Sequence, residues 1–341
     1  MPRVEEQRPA YSRALLIPGP LPPSSHLGVT LLRHAAGTGL RYALYHLGLP
    51  VPEVPPFKTI RLRLYLDARE LRNLLSHAPG GEDVLAAILE PGGSGALPAA
   101  ARPLSAAIGF HRVRLVRFRP PSSRSVEIRG EETPQELWQR FRIALTRMLP
   151  RVNDALLADV IAAVNRRTAR SSGESLPPVL SRAAWELRTG GEADLRLFGP
   201  PDLRAPAWDE EPGRAQAARE ALQPYPVPGH DRYRGRFREA YRALLTQLAP
   251  LYRALARGAA ERGLLADPDD AYFLPFDLAG DLAAEKKPSW LEAGVASNRA
   301  EYESLRRAAE PLDQMSAEQE MAPLTTGACP AWNWAPLLPL P

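Results

Sequence analysis

Proline sets the tightest limit on what this chain can build. It occurs 37 times, often in pairs: Pro22-Pro23, Pro55-Pro56, Pro120-Pro121, Pro177-Pro178 and Pro200-Pro201. Each proline fixes φ and removes a backbone donor, so such pairs end elements instead of continuing them. The apolar fraction is 45% of 341 residues, enough to form a packed core. The expected fold is mainly α, a helical bundle-like domain with a few short strands and proline-rich connectors.

Along the chain, residues 1–24 read as an extended proline-rich N-terminus and 25–197 as an N-terminal helical subdomain. Ser24 or Ser25 caps a helix running to about Gly48, with Gly37 and Gly39 as its weak points. In residues 58–66, Ile60, Leu62, Leu64 and Leu66 share one face, which predicts a single short strand. Asp67 then caps a helix through Leu75, and another short helix covers Glu82 to Leu89. Residues 107–119 fit either a strand or a buried helix segment. Thr133-Pro134-Gln135-Glu136 forms a capping box with proline at N1. The helix it starts is expected to break at Pro150, with a second helix over Val152 to Arg167 and a third over Pro178 to Leu187.

Residues 198–231 hold seven prolines and one short helical stretch near 213–222. They read as a proline-rich connector, either between two subdomains or as a long surface segment of one domain. A C-terminal helical subdomain follows over 232–320. Its long helix starts at Arg232, carries Phe237, Tyr241, Leu244, Leu248 and Leu255 at helical spacing, and meets Pro250, which must kink or split it. Gly263 is its C-cap, Asp267-Pro268 starts a turn or cap, and the last helix covers Ser297 to Ala309. Residues 321–341 are a proline-rich tail with Trp332 and Trp334.

Several chemistries are excluded or disfavoured by residue type. No Walker-A loop, G-x-G-x-x-G, G-x-S-x-G or H-E-x-x-H occurs. The six histidines lack zinc-ligand spacing, and Asp267, Asp269 and Asp270 lack the glycine and distal glutamate of a calcium loop. Asp277 and Asp281 stand four apart, but a magnesium site usually needs substrate phosphates too. No metal and no cofactor are expected. The net charge of +4 comes from arginines interleaved with acids, the pattern of a solvated surface and not of a nucleic-acid binder. Arg112 and Arg114 form either an anion-binding face or one solvated strand face. The single cysteine, Cys329, and the lack of an apolar leader or span fit a cytoplasmic protein without membrane contact.

The segment Leu255 to Leu278 reads LARGAAERGLLADPDDAYFLPFDL, and Asn298 to Glu303 reads NRAEYE. This order of a basic glycine turn, an acidic D-P-x-D step, an aromatic pair and an R-x-E-Y-E helix resembles phosphoenolpyruvate-synthase-like and rifampicin-phosphotransferase-like enzymes. Pro18-Gly19-Pro20 and Arg63-Leu64-Tyr65-Leu66-Asp67 are similar to the opening of their central domain. In that family an ATP-grasp domain phosphorylates a mobile histidine domain, and the central domain of the rifampicin enzymes binds the acceptor. The chain lacks a G-G-x-x-S-H-type motif, and its limits match those of the central domain, so the ATP-grasp and phosphohistidine domains are expected to be absent.

The resemblance therefore implies a component that is not catalytic alone and has no catalytic residues. It would be the stand-alone central part of a split phosphotransferase. Its partners would be ATP-grasp and phosphohistidine-domain proteins and a small-molecule acceptor. Tyr241, Tyr252, Tyr272 and Phe273 either line an acceptor groove between helices or are ordinary core. The alternative is a non-enzymatic helical scaffold or interaction protein derived from the same domain, with the tail as its docking segment.

Overall fold

The computed structural model describes residues 11–12, 23–89, 126–128, 132–169, 202–204, 236–307 and 314–315. Most of them are helical. In order, α1 is His26–His46, α2 Ala68–Leu75, α3 Gly81–Leu89, α4 Pro134–Ala169, α5 Arg236–Glu261, α6 Ala279–Ala283 and α7 Leu291–Arg307. Two 3-10 helices, Pro268–Phe273 and Phe276–Leu278, connect α5 to α6. Four short strands, β1 (Tyr11–Ser12), β2 (Phe57–Ile60), β3 (Arg63–Asp67) and β4 (Gln314–Met315), form an antiparallel sheet in the order β2-β3-β1-β4.

The helix starts follow the caps. Ser25 Oγ accepts from the Gly28 N–H at 3.0 Å, and Asp67 accepts from the Arg69 and Glu70 N–H groups. At α4, the Thr133 N–H donates to Glu136 Oε2 at 2.7 Å and the Glu136 N–H donates back to Thr133 Oγ1 at 3.3 Å, closing the capping box. Gly263 ends α5 with φ 72°, and the Leu264 N–H reaches back to the Ala259 carbonyl at 3.0 Å in a Schellman closure.

Three expectations are corrected. The single strand over 58–66 is a hairpin: Ile60 pairs with Arg63 across a two-residue turn made by Arg61 (φ 50°) and Leu62 (φ 54°). Such turns usually use Asn or Gly, so these residues gave no turn signal and the alternation ran straight through them. Leu62 is held left-handed because its side chain is buried and its carbonyl accepts from the Ser24 N–H at 3.0 Å.

Second, Pro150 does not break its helix, since α4 runs through it, and of the kink or split expected at Pro250 the split does not occur, since α5 is one helix. A proline inside a helix costs about 3 kcal/mol. Burial of Met148, Leu149 and Val152 around the first, and of Leu248, Leu251 and Tyr252 around the second, offsets it, at roughly 1.5–3 kcal/mol per large apolar side chain.

Third, α7 starts at Leu291 instead of Ser297, because Leu291 and Val295 extend its buried face upstream and Trp290 packs over Gly294, whose missing Cβ would stand 3.2 Å from the indole.

The glycines read as weak points of α1 are sites of close approach. A Cβ on Gly39 would lie 2.8 Å from Leu156 Cδ2 of α4, and one on Gly37 2.8 Å from Pro55 Cγ. Helix α4 is the axis of the bundle: α5, α1 and α3 pack against it, and α6 touches it near Trp138 and Gly280. One hydrophobic core takes residues from α1, α4 and α5 alike, so elements on both sides of the 198–231 connector share it. Residues 107–119 and 178–187, the stretch near 213–222, and the tail lie outside the described residues.

Candidate functional site

Among the described residues, a dense arrangement of polar groups lies where the start of α1, residues 202–204, the 3-10 helix Pro268–Phe273 and α7 meet. Its base is Asp202. This buried carboxylate accepts from the Ser25 N–H, from Ser25 Oγ at 2.7 Å and from the Arg204 N–H at 3.1 Å. It stands at the positive end of α1, where a carboxylate is favoured. Gly28 makes room for it: a Cβ there would be 2.7 Å from Asp202 Oδ1.

Asp202 fixes the backbone of Arg204, whose guanidinium lies over two rings, 5.2 Å from the centre of Phe273 and 5.1 Å from that of Tyr302. The Phe273 ring has a second cation beside it, Arg299, at 5.2 Å. Arg299 also donates to Asp270 Oδ1 at 2.5 Å, and Arg204 comes within 3.6 Å of Asp269. Both acids belong to the short helix that carries Phe273. There Asp267 accepts from the Asp269 N–H at 2.7 Å, while Asp270 accepts from the Asp267 N–H at 3.1 Å. The capping expected for this acidic cluster is thus present. From α7, Asn298 Nδ2 donates to the Phe273 carbonyl at 2.8 Å, Tyr302 meets Phe273 edge-on at 5.7 Å, and Glu301 approaches His26 Nε2 at 3.2 Å.

The four aromatics singled out in the sequence are all buried. Phe273 is the centre of the arginine stack. Tyr272 lies beside Tyr252, ring centres 5.4 Å apart, and Tyr252 continues through Phe141 to Trp138 and Phe276. Tyr252 Oη donates to the Ala271 carbonyl at 2.8 Å. Tyr241 stacks on Phe237 with ring centres 5.9 Å apart, and among the described residues its buried hydroxyl meets no hydrogen-bond partner. Burial pushes the Tyr272 hydroxyl up to about 12 and holds those of Tyr241 and Tyr252 well above the usual phenol value. These tyrosines stay protonated at neutral pH, and Tyr252 uses its proton to hold the Ala271 carbonyl. Arg112 and Arg114 lie outside the described residues.

Sequence reasoning picked out Tyr272 and Phe273 but missed Asp202, Arg204 and Arg299 as members of one group. Arg299 and Asp270 both stand in the resemblance motifs, so their pairing was the available signal. Asp202 meets Ser25 across 177 residues, and no local pattern announces that. Chemically, the group sets arginines against carboxylates and aromatic faces, a frame that holds the start of α1, the 3-10 helix and α7 together. Among the described residues no cluster of three His, Cys, Asp or Glu side chains could hold a metal ion, and no helix is long and apolar enough to cross a membrane. A scan against protein-family models, and searches of curated proteins and of solved structures, find no match to this chain.

Proposed function

We propose that the chain is the central component of a split phosphoenolpyruvate-synthase-like phosphotransferase. It binds a small-molecule acceptor or docks partner domains, while other chains supply ATP and phosphohistidine chemistry. One observation carries this reading. The residues of the resemblance, far apart in sequence, interlock in space: Asn298, Arg299 and Tyr302 of α7 grip Asp270 and Phe273. Motif residues that hold one another give the resemblance a structural role in this chain. The interlock fixes α7 against the end of the α5 segment, giving a rigid frame of the kind a binding component needs.

The test has two arms. The purified chain, incubated alone with ATP, should show no turnover; clear ATP consumption would overturn the reading. Added to an ATP-grasp protein and a phosphohistidine-domain protein of the phosphoenolpyruvate-synthase type encoded beside it, the chain should co-purify with one of them. Failure to associate would leave a scaffold with unrelated partners as the better description.

A further inference from the structure

We draw no further inference here: the strongest candidate, the pair of partly exposed guanidiniums of Arg204 and Arg299 beside the Phe273 ring, belongs to the site already described, where Arg204 faces Asp269 and Arg299 holds Asp270.

Discussion

Replacing Gly28 by alanine separates two effects of opposite sign. Glycine inside a helix is about 1 kcal/mol worse than alanine, so at an open position the substitution would stabilise α1. Here the new Cβ would stand 2.7 Å from Asp202 Oδ1, 2.8 Å from its Cγ and 3.0 Å from Oδ2. The carboxylate would have to withdraw from its three donors, the Ser25 N–H, Ser25 Oγ and the Arg204 N–H. A hydrogen bond to a charged group contributes about 1.5–3 kcal/mol. Losing one or two of them outweighs the helical gain, and Gly28→Ala should lower stability by roughly 1–4 kcal/mol. In an Asp202→Ala background the obstacle is gone, so the same substitution should raise stability by roughly 0.5–1 kcal/mol. Urea unfolding followed by circular dichroism on the four proteins of the cycle gives both numbers. If Gly28→Ala stabilises the natural chain, or changes both backgrounds alike, Asp202 does not hold α1 as described.

Two further substitutions probe the core and the hairpin. Tyr252→Phe removes a hydroxyl bonded to the Ala271 carbonyl and should cost about 1–2 kcal/mol, whereas Tyr241→Phe removes a buried hydroxyl without a partner among the described residues and should be neutral or stabilising by up to about 1 kcal/mol. Equal losses in thermal melts of the two variants would contradict this assignment of their hydroxyls. Arg61→Gly relieves a left-handed residue in the β2–β3 turn and should add about 1 kcal/mol; an unchanged or lowered melting temperature would argue against strain at that position.

The parts of this fold written in local chemistry were legible in the sequence. Asp67, the Thr133–Glu136 box and Gly263 act within a few residues of themselves, so side-chain type alone placed them, and it narrowed the α1 cap to Ser24 or Ser25 and Asp267 to a turn or a cap. The misreadings share one physical cause, which is tertiary packing overriding local preference. Arg61-Leu62 turns without a turn residue because the core holds Leu62. Pro150 and Pro250 stay inside helices because buried neighbours hold both sides. Gly37 and Gly39 lower helix propensity but admit Pro55 and Leu156 to close range. Of the candidate site, the aromatic pair was visible and its interlock with α7 was half-visible through the R-x-E-Y-E stretch. The cross-chain caps, Asp202 on α1 and Asp159 on α5, join residues 177 and 78 positions apart, beyond the reach of any local pattern.

Helix α4 has a further consequence, in the order of events during synthesis. At 36 residues it spans about 54 Å at 1.5 Å per residue, and its main partner α5 begins only after residues 170–235 have been made. Equilibrium stability depends only weakly on the number of residues between the two helices, since doubling a sequence separation costs only about 0.6 kcal/mol of closure entropy. Folding rate is not indifferent, because the pairing of α4 with α5 is non-local for a helical protein and waits on loop closure. A nascent chain therefore carries a long apolar helix face that its partner has yet to cover, the kind of surface on which chaperones act and aggregates start. Slowing translation ahead of residue 236 should lower the soluble yield of this protein while leaving the stability of the finished chain untouched.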